Sequence, residues 1–136
     1  MNNFSLPSIK DFIIIFFIII VFVAVVLVFY SEIIKNNKIT NTKNNFNYVR
    51  DELIVEIYNC KNNLESWLYG ISCNIRPKEE IIIDYFNNTI QLINPHTGRK
   101  GVGGGPGSIQ LDVREHMFLL SADIDADGGI DIEYRI

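Results

Sequence analysis

The chain has 136 residues, a net charge of −4 and a hydrophobic fraction of 48%, which allows one small soluble domain beside any anchor and not two. Seven acids from residue 112 onward (Asp112, Glu115, Asp123, Asp125, Asp127, Asp131, Glu133) face only Arg114 and Arg135, so the acid surplus lies in the C-terminal tail. No basic patch of the kind nucleic acid requires is present, which excludes that class of partner.

Residues 1–11 are short and polar, and Pro7 and Ser8 suit the start of a helix. The next nineteen residues, 12–30, read FIIIFFIIIVFVAVVLVFY without a charge, an amide, a Gly or a Pro. As a helix they would be about 28 Å long, close to the hydrocarbon core of a bilayer. A helix in a globular protein shows a polar face, and this one has none. A cleaved signal peptide would have a shorter apolar region and a small-x-small cleavage site. The stretch is therefore expected to be an uncleaved single-pass anchor, with Phe12, Ile19, Ala24 and Tyr30 marking its membrane or assembly surface. Ala24 alone is small enough for close backbone approach by a second helix. Asp11 borders the run and is read as an interfacial flank.

Residues 36–47 contain six Asn and no apolar periodicity, and fit either a linker or a loosened stretch of one long helix. Beyond them Phe46, Val49, Leu53, Ile57, Cys60, Leu64, Leu68 and Ile71 recur every three or four residues. That spacing predicts a one-faced helix, with Arg50, Asp51, Glu52, Glu56, Lys61 and Glu65 on its other faces and Gly70 near its end. Trp67 and Tyr69 are read as packing residues. Cys60 and Cys73 lie thirteen positions apart, the wrong spacing for a CxxC motif, and no His cluster completes a zinc site. A reduced cytosolic pair is one reading; a disulfide closing a loop on an exported domain is the better one, the chain reversing near Gly70.

Arg76-Pro77-Lys78-Glu79-Glu80 looks like a helix start; IIIDYF would also fit a strand, and a short helix over residues 78–86, ended by Asn87-Asn88, is the expectation preferred. Asn87-Asn88-Thr89 is formally a glycosylation sequon. Residues 94–107, NPHTGRKGVGGGPG, lack the Lys-Ser/Thr and following helix of a phosphate loop and read as a long irregular surface loop. The remainder alternates: Ile109/Leu111/Val113, then residues 117–122, then Ile130/Ile132/Tyr134, which predicts three short antiparallel strands. The fold class is thus α+β, an amphipathic helix packed on a small antiparallel sheet. Domains are expected at 1–35 (anchor), 36–47 (Asn-rich stretch) and 48–136 (soluble head). His96 and His116 read as surface histidines. No catalytic constellation is seen, so the chain is expected to be neither an enzyme nor the receptor of a small-molecule substrate.

Between the second and third strands, residues 123–131 read D-I-D-A-D-G-G-I-D. Asp123, Asp125, Asp127 and Asp131 stand at positions 1, 3, 5 and 9 of a calcium-loop pattern. Gly128 stands at position 6, Gly129 offers its carbonyl at position 7, and Ile130 at position 8 is expected to point into the core. Position 12 is Tyr134 where a bidentate Glu belongs. The competing reading is an acidic Asp-Gly hairpin turn that needs no ion.

In order of parts, the chain resembles type IV pilins and type II secretion pseudopilins. An apolar N-terminal helix leads to an amphipathic continuation, a variable loop and a small C-terminal sheet, with YNCKNNLESWLYGISC, IIIDYFNN, NPHTGRKGV and GPGSIQLDV similar in flavour to pilin-like heads. The prepilin signature differs, since no Gly precedes the span and residues 12–30 hold no Glu. The resemblance implies a filament subunit that assembles as a homo- or hetero-oligomer through its N-terminal helix at a membrane. It also raises the expectation of Ca2+ in the C-terminal region. The alternative is a non-polymerising, membrane-anchored calcium-binding or interaction module. Lys10 before the span against Lys35, Lys38 and Lys43 after it would place the C-terminal side in the cytoplasm. The cysteine pair and the acidic loop argue for an extracytoplasmic head, periplasmic or on an extracellular filament, which is the expectation adopted.

Overall fold

The computed structural model describes residues 8–62, 70, 72–75, 77–114 and 117–136. Sequence readings that rest on Pro7, Leu64, Glu65, Trp67, Leu68, Tyr69, Ile71, Arg76 and His116 lie outside the described residues. Contacts divide the chain into two compact units, Met1–Asn36 and Asn37–Ile136.

In the first unit the chain enters the long helix α1 (Ile9–Lys61) at Ser8. Ser8 N–H donates to Asp11 Oδ2 at 2.7 Å, and Asp11 N–H donates to Ser8 Oγ at 3.4 Å. This reciprocal pair satisfies two donors that a helix start leaves unpaired. Every residue from 8 to 37 is exposed, so among the described residues the apolar run is buried nowhere along its length.

The second unit is α+β. Residues 36–47 are helical and belong to α1, so the run of Asn does not break it. On the core side Thr42, Phe46, Val49, Leu53 and Glu56 are buried, and Ile57 and Cys60 pack more loosely. Sequence periodicity had placed Glu56 on a solvent face. It is instead 4% exposed, one helical turn from Leu53 and therefore on the same side of the helix. Cys60 and Cys73 form a disulfide with Cα atoms 5.3 Å apart. Gly70 lies between them at φ +70°, a conformation that turns a chain back at little cost only for glycine.

Helix α2 (Glu79–Asp84) runs directly into a π-helical turn, Tyr85–Thr89. Asn87 and Asn88 therefore lie inside a helical turn instead of ending the helix. The wider turn carries Asn87 inward, where it is buried. Ile82 and Phe86, four residues apart, are fully buried. Strands β1 (Ile109–Arg114), β2 (Met117–Ala122) and β3 (Ile132–Arg135) form an antiparallel sheet in that order. Ile109, Leu111, Phe118, Leu120 and Ala122 turn one face of the sheet into the core. β3 begins two residues later than Ile130, and its Tyr134 is 41% exposed. Arg50 of α1 lies over the Tyr134 ring at 5.4 Å, a cation–π contact at the sheet edge.

The glycine-rich stretch is not merely a surface loop. Ile93 and Lys100 form a bridge, Val102 is 2% exposed within the core, and Gly101 lies against the Leu92 backbone where a Cβ would sit 3.0 Å from the carbonyl. Asn87 holds this stretch from the helical side. Its Nδ2 donates to Val102 O at 2.6 Å, and Val102 N–H donates to its Oδ1 at 3.0 Å.

Candidate functional site

The hairpin between β2 and β3 carries the acidic cluster. Asp131 N–H donates to Ala122 O at 3.0 Å and closes the hairpin where β2 ends. Side-chain oxygens shape the turn beyond that point. Asp123 accepts from Asp127 N–H at 3.2 Å and from Gly128 N–H at 2.6 Å. Asp131 Oδ2 accepts from Ile124 N–H at 2.8 Å and Asp125 N–H at 3.2 Å, and Asp127 Oδ1 accepts from Gly129 N–H at 3.0 Å. Asp residues bond nearby backbone in this way because their side chains are short and carry two acceptors. Gly128 takes φ +96°, and Ala126 takes φ +61°, which costs an L-residue more than it would a glycine.

Three carboxylates converge. Asp123, Asp127 and Asp131 each offer an oxygen within 4.8 Å of the others; Asp123 is buried and the other two are exposed. Asp125 is not in this group, and its backbone N–H serves Asp131. Ile130 does not point into the core, being 64% exposed. The physical reason is that this loop is a hairpin closed at Ala122 and Asp131, so residue 130 falls on the outer side of the turn. A hard divalent cation suits an all-oxygen set with spare lone pairs, and each of the three aspartates retains some. Three like charges this close also repel one another, which a bound cation would relieve. Gly129 lies in the same turn, and its N–H is taken by Asp127.

The sequence reading missed His96. Its Nε2 bonds Ile124 O at 2.9 Å, so the ring joins the acidic hairpin to the glycine-rich loop and is not a stray surface group. The signal available was Asn94-Pro95, a dipeptide that favours turn initiation and could have marked a structured turn.

The second candidate surface is the apolar run. Phe12, Ile19 and Tyr30 are exposed by 61%, 53% and 62%, and Ala24 lines a shallow notch with Val25, Val28 and Phe29. By length and composition this helix can cross a membrane, which weakly indicates an anchor. Asp11, at its edge, is engaged with Ser8 of its own helix cap. Comparison with protein-family models, curated proteins and solved structures finds no match to this chain.

Proposed function

We propose that the chain is a structural subunit of a type IV pilus-like or pseudopilus-like filament, held by its apolar N-terminal helix and presenting its α+β head outside the cytoplasm. The observation that carries this reading is one helix with two kinds of surface. Over residues 12–30 α1 is apolar and exposed throughout among the described residues, and over residues 42–60 it buries one face in the head. A bare apolar helix must be covered by lipid or by other apolar helices. Lipid before assembly and neighbouring copies after it would satisfy the same surface twice. The disulfide supports an oxidising compartment for the head. The role is non-enzymatic.

The test is sedimentation and electron microscopy of surface-sheared material, together with the mature N-terminus by mass spectrometry. Filaments containing the chain are the expected result. A protein recovered only from membranes as a detergent monomer overturns this reading and leaves the second, an anchored module that does not polymerise. The Ser8–Asp11 pair bears on that second reading, because one oxygen of the acid at the edge of the span is engaged within its own chain.

In either reading, calcium is the cofactor proposed for the acidic hairpin, held by Asp123, Asp127 and Asp131. Affinity is expected to be weak, since Tyr134 stands where the strongest ligand of a calcium loop belongs. Millimolar calcium should raise the thermal midpoint of the detergent-solubilised chain relative to chelator, and magnesium should do so much less. Asp127→Asn should remove the difference, while Asp125→Asn should keep it. Equal midpoints in calcium and chelator would leave an acidic hairpin without an ion.

A further inference from the structure

Two loops of the head meet at one imidazole. Residues 94–107 are gathered around Asn94, which is 3% exposed. Its Oδ1 accepts from His96 N–H at 2.8 Å and Thr97 N–H at 3.2 Å, and its Nδ2 donates to Pro106 O at 2.9 Å. Both ends of the loop therefore close on a single buried amide. The turn sets the His96 ring against Gly107, which has φ +72° and where an added Cβ would collide with ring carbon Cδ2. From there Nε2 reaches Ile124 O. A carbonyl only accepts, so Nε2 carries the hydrogen.

On the hairpin side, the peptide group between Ile124 and Asp125 is bonded at both ends. Its C=O accepts from His96, and its N–H donates to Asp131 Oδ2. Asp131 is one of the three convergent carboxylates. A continuous line of bonds thus runs from that carboxylate through one peptide group and one ring to the Asn94 turn.

We propose that His96 is a strap that ties the acidic hairpin to the glycine-rich loop, so that displacement of the Asp131 carboxylate is passed to residues 94–107. The strap itself needs no ion; its response to a cation rests on the calcium reading above. Coupling of this kind is reciprocal, so ordering the glycine-rich loop would also favour the closed hairpin.

The experiment is hydrogen exchange of the full-length chain in micelles, first in chelator and then in millimolar calcium. His96→Phe keeps a ring but loses the donor, and Gly107→Ala pushes the ring away. His96→Gln keeps an N–H donor at similar reach. In chelator the first two should speed exchange across residues 123–131 by about three- to tenfold, with β1 and β2 unchanged. His96→Gln should stay near the parent. Unchanged exchange across 123–131 in His96→Phe, or a His96→Gln that behaves like it, overturns the strap, and this comparison stands even where His96→Phe loosens the whole head. In calcium, the parent should slow at both 123–131 and 94–107, and His96→Phe at 123–131 alone. Slowing confined to 123–131 in the parent overturns the coupling. No slowing anywhere in the parent removes calcium and leaves the strap to the chelator result.

Discussion

At the scale of single residues, the buried amide of Asn87 ties the head together alongside its apolar side chains. Asn87 supplies both a donor and an acceptor to the backbone of Val102, and both groups are buried. Asn87→Ala leaves an N–H and a C=O unpaired, each costing about 1–3 kcal/mol, so a loss of about 2–6 kcal/mol is expected in denaturant unfolding of the head. The same bonds make Asn87 a poor glycan acceptor although the sequon is intact, and mass spectrometry should find it unmodified. Tyr85 gives a pH test opposite in sign to that of a carboxylate whose folded state favours the charged form. Burial, then the nearby charge of Glu52, pushes its phenol above the ordinary value of 10.0, with Tyr48 and Glu56 adding to the effect. Because the folded state favours the neutral phenol, its contribution to stability is whole below the unfolded value and is lost as pH rises through the folded one. Thermal midpoints should therefore fall above about pH 10, and Tyr85→Phe should flatten that fall.

At the scale of elements, α1 is a single helix with three compositions. Its start is capped by Ser8 and Asp11, its apolar run is bare, and its last turns are pinned by the disulfide at Cys60. The cross-link restricts the unfolded chain between residues 60 and 73. Replacing both cysteines with serine should lower head stability by about 2–4 kcal/mol, read as a shift in denaturant midpoint under non-reducing conditions. A midpoint that reductant leaves unchanged in the parent would mean that the bond contributes nothing. The π-turn after α2 has a similar logic. Its wider winding puts Asn87 inside, where an α-helix continued from Ile82 and Phe86 would keep a different set of residues on the buried side.

For the molecule as a whole, the decisive quantity is what covers residues 12–30. Ile19→Arg places a charge at the middle of the run and costs about 2.5–3.5 kcal/mol on membrane-insertion scales. Membrane fractionation should find less of the variant in the membrane fraction than of the parent. An unchanged distribution would contradict the anchor. If the filament reading holds, this variant should also lose assembly, whereas a variant confined to the hairpin, such as Asp127→Asn, should keep it.

Composition and period alone determined a good deal. An uninterrupted apolar run leaves no polar face, spacings of three and four put Phe46, Val49 and Leu53 on one side, and alternation put Ile109 and Leu111 on another. These are local rules, in which neighbours along the chain suffice. The hairpin cluster was half legible. Spacing singled out its aspartates, but Asp125 and Ile130 departed from the expected pattern, because closure between Ala122 and Asp131 set their directions. Only the tertiary structure decided that Glu56 is buried, that Asn87 clamps Val102 and that His96 reaches Ile124. The last two join residues 15 and 28 positions apart. A polar side chain finds such a partner only once the elements carrying both have packed, and no periodicity in the sequence records that meeting.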